Sequence, residues 1–293
     1  MDIPAKKCLA VLGGDEREII LIKLLLEQGY EIKTFGLPKN LLPSRIHNCT
    51  TCREAVNNAE GVILPMPGVN DLGILYTKLH QEKITISRED LAGIKEHVPV
   101  LVGRASCYLK ELAASLGFFL IEVAELDEIA IPNAVPTAEG AIQLAMEKTP
   151  MTIHGSRALV IGYGRIGEAL AIRLKCLGAK VTVCARNKIQ LAKCHSLAYD
   201  TKTLAELSDD VHLEDLIFNT VPALIINEQV LQQVKKEVWI IDLASHPGGT
   251  DFEAAKRLGI SAVLAPGLPG KVAPLTAGRI LAEAYPGILA THH

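Results

Sequence analysis

Short apolar runs alternate along the chain with segments whose apolar positions recur every three or four residues. "CLAVLGG" (8–14) is an apolar run ending in a glycine turn. "DEREIILIKLLLEQG" (15–29) follows with helical spacing and stops at Gly29. "YEIKTFG" (30–36) alternates like a strand. "EGVILPMPG" (60–68), "VPVLVG" (98–103) and "FFLIEV" (118–123) read as further strands, with helices near 88–97 and 105–117. The pattern breaks at "IPNAVPTAEG", where Pro132, Asn133 and Pro136 cluster, and Thr137 stands where it would cap a helix over 138–148. Beyond it the alternation restarts with a strand at 158–162, a helix at 165–178, and strands at 180–185, 215–220, 238–244 and 260–265; a helix over 273–284 closes the series. Strands separated by helices pair in parallel through right-handed crossovers. The pattern therefore predicts an α/β fold of two doubly wound parallel-sheet domains. The first, over 1–133, lies on the substrate side. The second, over 134–293, carries "VIGYGRIG" between a strand and a helix, which marks a Rossmann NAD(P)-binding domain, and its last helix returns toward the first.

The strand at 158–162 leads into "VIGYGRIG", which sets Gly162, Gly164 and Gly167 in a G-x-G-x-x-G that opens a helix. Gly162 suits the tight turn, Gly164 the close approach of a diphosphate, and Gly167 the packing of helix on sheet. The first helical turn, Arg165, Ile166 and Gly167, offers its backbone N–H groups to that diphosphate. At the end of the next strand, "VTVCARN" puts Arg186, 19 residues after Gly167, where an acid would favour NAD. A guanidinium there binds a 2′-phosphate and stacks on adenine. With Asn187 and Lys188 beside it, NADP is the expected cofactor, with NAD as the lesser choice. Thr220, Val221 and Pro222 leave one later strand, and Ala244, Ser245 and His246 another. Ligands of open α/β sheets gather at strand carboxyl ends, so these loops are candidates for the nicotinamide and His246 for the proton-transfer residue.

In the first half, "LGGDERE" places Gly14, Asp15 and Arg17 at a strand-to-helix turn that lacks the third glycine of a dinucleotide site. Such a helix tip can hold a smaller anion, for instance a carboxylate. Asn70 and Arg104 stand at two other strand exits, Arg104 as the better carboxylate fork.

Composition narrows the field. With 293 residues, 49% apolar, the chain can bury two cores. Thirty basic against 33 acidic residues give a net charge of -3, and aromatics are 4%, so neither nucleic acid nor an anionic membrane is expected as a partner. No apolar run approaches the roughly 20 residues of a membrane helix, and the start of the chain does not read as a signal peptide, which points to the cytoplasm. Seven cysteines, mostly in apolar segments, fit reduced thiols. Cys49 and Cys52 form a C-x-x-C, but no second ligand pair follows at zinc-site spacing and no clear strand precedes it as in a redox motif; no metal is expected. Ser-His-Asp order, H-E-x-x-H and P-loop are all lacking.

"LGGDERE", "NAVPTAEGAIQLAMEKTPMTIHGSRALVIGYGRIG", "IDLASHPGGTDF" and "APGLPGKVAPLTAG" together resemble the A subunit of the bacterial dipicolinate synthase family over nearly the whole chain. The resemblance implies NADP-dependent oxidation of a dihydro- or hydroxytetrahydro-dipicolinate, a dicarboxylate made on a branch of lysine biosynthesis, to pyridine-2,6-dicarboxylate. It also implies a mother-cell location during sporulation, an oligomeric assembly and, for a partner, a flavoprotein-like B subunit. "PGLPGKVAPLTAG" more loosely resembles NADP-linked methylenetetrahydrofolate dehydrogenases. A dehydrogenase of that type or of 2-hydroxy acids stays open as an alternative. So does a nucleotide-sensing regulatory module, since no motif fixes a catalytic base.

Overall fold

The computed structural model describes residues 7–80 and 82–291. Residues 1–6, part of the opening stretch considered for a signal peptide, lie outside the described residues. The chain divides into two compact units, Met1–Pro132 with Pro274–His293, and Asn133–Ala273.

The first unit contains β1 (Cys8–Leu12), α1 (Glu16–Glu27), β2 (Glu31–Phe35), β3 (His47–Asn48), α2 (Cys52–Val56) and β4 (Gly61–Ile63). A hairpin of β5 (Ile74–Leu75) and β6 (Ile84–Thr85) precedes α3 (Arg88–Leu91), β7 (Pro99–Val102), α4 (Cys107–Leu116) and β8 (Phe119–Glu122). Helix α5 (Asp127–Lys148) crosses the division in the chain. The second unit continues with β9 (Arg157–Ile161), α6 (Arg165–Cys176), β10 (Lys180–Cys184), α7 (Lys188–Ser196), β11 (Asp200–Lys202) and β12 (Leu216–Asn219). It ends with α8 (Glu228–Leu231), β13 (Trp239–Asp242), α9 (Phe252–Leu258), β14 (Ser261–Leu264) and α10 (Leu268–Val272). The last helix, α11 (Pro274–Thr291), belongs to the first unit.

Each unit holds a six-stranded parallel sheet, ordered β3-β2-β1-β4-β7-β8 and β11-β10-β9-β12-β13-β14. Both follow the doubly wound order in which the winding reverses beside the first strand, at β1/β4 and β9/β12, and ligands of such sheets collect at that carboxyl edge. The central strands are apolar on both faces because helices cover both: Leu9, Val11, Val100 and Leu101 in one sheet and Leu159, Val160, Ile217 and Phe218 in the other are buried.

Two sequence readings need correction. Pro132 and Pro136 do not end a helix, and Thr137 does not cap one. Helix α5 begins at Asp127 and runs through both prolines, and Thr137 Oγ1 donates back to the Asn133 carbonyl at 2.7 Å. Each proline removes one backbone hydrogen bond. The helix persists because Ile129 is buried in the first core and Ala138, Ala141, Ile142 and Ala145 in the second. The closing helix is longer than 273–284 and packs in the first unit, where Leu281, Tyr285, Ile288 and Leu289 join Leu9, Val11, Ile22 and Leu25 in one core. Its backbone comes close to α1: a Cβ on Gly278 would lie 2.8 Å from the Arg17 carbonyl oxygen.

At the amino edge of the second sheet, Glu214 is fully buried and neither of its carboxylate oxygens meets a hydrogen-bond donor among the described residues. Arg157 Nη2 lies 4.0 Å away. Burial pushes this carboxyl up to about 7, against the pull of Arg157 and Lys202. A folded-state value above the ordinary one means that stability is fully present below about 4.5 and falls as pH rises toward about 7. Glu214→Gln removes the group that must ionise. Its urea midpoint should match the parent near pH 4.5 and exceed it at pH 8, where the unfolding free energy should be higher by up to about 3 kcal/mol. Parallel stability profiles across that range would refute the assignment.

Candidate active site

The glycine turn of the second unit joins β9 to α6. Gly162 has φ 91°, in the left-handed region, and a Cβ there would lie 2.3 Å from Thr220 Oγ1. A Cβ on Gly167 would lie 2.1 Å from the Gly162 carbonyl oxygen, so only glycine lets α6 start this close to the strand. Gly164 differs: nothing lies within 4 Å of the place where its Cβ would be. It is the N-cap of α6 and provides no side-chain cap for the first turn, formed by Arg165, Ile166 and Gly167. A helix tip with backbone donors, a positive dipole end and open space beside a glycine fits a dinucleotide diphosphate.

Past β10, Arg186 is exposed and makes no hydrogen bond or ion pair to other described residues. Asn187, also exposed, uses its side-chain oxygen within the chain. Its Oδ1 accepts from the Ile189 N–H at 2.8 Å and caps α7, which begins at the exposed Lys188. Gln190 ties α7 to the glycine turn by donating to the Tyr163 carbonyl at 2.9 Å.

Two loops at the same carboxyl edge are held from within. Thr220 donates both its N–H and its hydroxyl to the Ile161 carbonyl, each at 2.9 Å, so the hydroxyl closes the turn and points at the strand. Buried Asn219 grips the next turn: its Oδ1 accepts from Val221 N–H and its Nδ2 donates to the Val221 carbonyl, ahead of the exposed Pro222. Asp242, at the end of β13 and fully buried, accepts from Ala244 N–H, Gly249 N–H and Thr250 Oγ1 at 2.7–3.0 Å. This carboxylate shapes the loop on which Ala244 is buried and Ser245 and His246 are exposed; the His246–Pro247 peptide is cis. Sequence reasoning selected the loop residues and passed over Asn219 and Asp242, although a polar residue at the end of an otherwise apolar strand was the available signal.

The equivalent turn of the first unit is closed. Asp15 Oδ1 accepts from Arg17 N–H, and Glu18 Oε2 accepts from Asp15 N–H at 2.7 Å, a complete capping box. Gly14 N–H donates to the Tyr76 carbonyl at 2.9 Å, from the segment that follows β5. Arg17 directs Nε and Nη2 onto the two carboxylate oxygens of Asp15, at 2.9 and 2.8 Å, with both side chains buried. Burial lifts Glu18 to about 7 despite Arg17; Asp15, also penalised by burial, is held below its ordinary value by the bonds from Arg17. The anion expected at this helix tip is thus supplied by the chain itself, and the Arg17 fork faces Asp15 and not an outside carboxylate. Asn70 uses its Oδ1 to accept from Leu72 and Ile74 N–H groups, building a turn. Arg104 is exposed and paired with Glu125 at 3.1 Å.

The comparisons with known proteins agree with this geometry. Residues 136–246 match the family described as "D-isomer specific 2-hydroxyacid dehydrogenase, NAD binding domain", and residues 8–124 match the family of the N-terminal domain of the dipicolinate synthase A subunit. The A subunit of dipicolinate synthase from Bacillus subtilis (strain 168) is 37% identical over 285 residues, 96% of this chain and 95% of the relative. Crystal structures of the A subunit from Bacillus halodurans and Bacillus subtilis superpose with TM-scores of 0.93 and 0.90, at 35% and 37% identity. They cover 97% and 98% of this chain and 98% and 97% of their own. The fold and the glycine turn define a dehydrogenase-type oxidoreductase with a nicotinamide cofactor. Within that class, the chain belongs to the family of dipicolinate synthase A subunits. No helix among the described residues is long and apolar enough to cross a membrane.

Two substitutions separate cradle from scaffold. Gly164→Ala fills the open space at the α6 tip; calorimetry should show dinucleotide affinity weakened at least about tenfold, with a folding cost of about 1 kcal/mol. Unchanged affinity would remove the diphosphate from this turn. Arg17→Met leaves Asp15 and Glu18 buried without their cation and should cost about 3–5 kcal/mol in urea unfolding. An intact stability with a raised substrate KM would instead make Arg17 a ligand-binding residue.

Proposed function

We propose that the chain oxidises a dihydro- or hydroxytetrahydro-dipicolinate to dipicolinate with NADP, in the cytoplasm of a sporulating cell and in concert with a second subunit. The observation that carries the cofactor choice is the exposed Arg186 past β10, which has no hydrogen bond or ion pair among the described residues, with Lys188 beside it and no acid in "ARNK". A 2′-phosphate supplies the partner that this guanidinium lacks. The substrate choice is supported by the name of the relatives, which are A subunits of dipicolinate synthase; that name also speaks of an assembly with other subunits.

The backbone of Gly164, Arg165, Ile166 and Gly167 would hold the diphosphate, and Arg186 and Lys188 the phosphorylated ribose. Val221, Pro222, Ala244 and Ser245 would flank the nicotinamide, with Thr220 keeping the turn tight. The bound cofactor supplies a hydride acceptor. Removing a hydride and a proton from a dihydropyridine ring yields an aromatic product, so the chain has mainly to orient the C–H bond and receive the proton. A ring nitrogen of His246, exposed beside Ser245, takes that proton. Within the first unit, Arg104, which pairs with exposed Glu125, and Asn70, whose Oδ1 builds a turn, are the proposed contacts for substrate carboxylates. Gly14, Asp15 and Arg17 act as the rigid floor of that edge.

Freshly generated dihydrodipicolinate and NADP should give NADPH in the presence of the second subunit. Arg186→Ala should raise the KM for NADP at least about tenfold while changing that for NAD by less than about twofold. Equal effects on both cofactors would overturn the NADP assignment. Dinucleotide binding without turnover, with or without the second subunit, would favour a nucleotide sensor. Turnover of 2-hydroxy acids in its place would favour the hydroxy-acid reading.

A further inference from the structure

We propose that His47, Cys49 and Glu54 form a binding site for a borderline-soft divalent ion such as Zn2+ or Co2+. The three residues fall within eight consecutive positions, but they come from different elements: His47 on the edge strand β3, Cys49 just after it, and Glu54 on α2. Their ligand atoms all lie within 4.8 Å of one another, and His47 Nε2 is 3.0 Å from Glu54 Oε1. In a tetrahedral site with bonds of about 2.0–2.3 Å, donors stand roughly 3.2–3.8 Å apart. The cluster therefore needs a closure of about one ångström, which rotation of exposed side chains provides.

The surroundings hold the donors in place. Cys49 N–H donates to the Thr34 carbonyl at 2.7 Å, and its side chain forms the buried base of the cluster. His47 and Glu54, with side chains 63% and 44% exposed, form its outer rim and leave a path for an ion. The second oxygen of Glu54 accepts from Thr50 N–H at 3.0 Å and from Thr50 Oγ1 at 3.3 Å. Such outer hydrogen bonds orient a carboxylate toward a metal. Lys33, a neighbouring cation, donates to the Asn57 carbonyl at 2.8 Å.

One imidazole, one thiolate and one carboxylate select zinc-like ions over Mg2+ or Ca2+, which prefer all-oxygen cages. Three protein donors leave a fourth position for water or an outside ligand. Binding releases the Cys49 proton to solvent and joins the edge strand to α2. The sequence reading looked for a second pair of ligands at zinc-site spacing and found none. The structure supplies the missing donors from either side of Cys49, and Cys52, buried on α2, is not among them. This site lies wholly within the first unit, whereas the dinucleotide turn belongs to the second.

The test is a titration of the full, metal-stripped chain with CoCl2 under reducing conditions. A single equivalent should bind with a thiolate-to-cobalt charge-transfer band that ZnCl2 abolishes. Cys49→Ala, or Cys49→Ser where alanine impairs folding, should remove the band. His47→Ala should weaken Co2+ binding at least about 100-fold, and Glu54→Gln, which keeps an oxygen for Thr50, at least about tenfold. Cys52→Ala should retain the band. Its absence from the parent chain, its survival in the Cys49 variants, or its loss in Cys52→Ala would overturn the proposal and leave His47–Glu54 as a surface hydrogen-bonded pair.

Discussion

A helix that starts at the carboxyl end of a parallel strand presents backbone N–H groups that helical geometry leaves without partners, and those donors need acceptors, for which an anion is well suited. This chain meets the requirement twice, in opposite ways. At α1 the anions are its own: Asp15 and Glu18 close the tip and Arg17 neutralises them. At α6 the cap is a glycine with open space beside it. The first solution yields a buried network; the second leaves the helix tip open, which is what the proposed diphosphate site requires. The division of labour between two sheets of the same strand order follows from which residue sits at the cap.

The second sheet extends the same logic. Asn219 and Asp242 stand at the ends of adjacent strands and direct their polar atoms at the backbone of the loops they introduce. A buried carboxylate that accepts three hydrogen bonds fixes a loop more firmly than the loop's own residues could, because leaving any of those donors unpaired would cost more than the bond is worth. Residues such as Ser245 and His246 can then remain exposed without being mobile by default. Exposed positions and shaping positions are distinct residues here, a few places apart in the chain.

Much of this was legible before the structure. The glycine spacing, the strand preceding it and the arginine after the next strand identified the dinucleotide domain, because each depends on local geometry that a short stretch of sequence encodes. The edge strands β3 and β11 were not recognised; two or three residues carry too little periodicity. Helix α5 was cut short because proline outweighs neighbours in a local reading, whereas burial on both sides of Pro136 decides the outcome. The role of Arg17 was misread for a related reason. A basic residue after an acid at a helix start looks available, and only the folded chain shows that it turns back on the acid two positions earlier. The cluster around Cys49 was invisible as a group because its three donors share no common spacing motif.

The course of the chain carries one further consequence. Residues 133–273 form the second unit in one unbroken stretch, whereas the first unit draws its final helix from beyond them. During synthesis the second unit emerges whole and can close while the earlier one still lacks α11, and with it Leu281, Tyr285, Ile288 and Leu289. Until then the α11 side chains that pack with Leu9, Ile22 and Leu25 are missing, so the core of the first unit can be completed only after the second unit has been made.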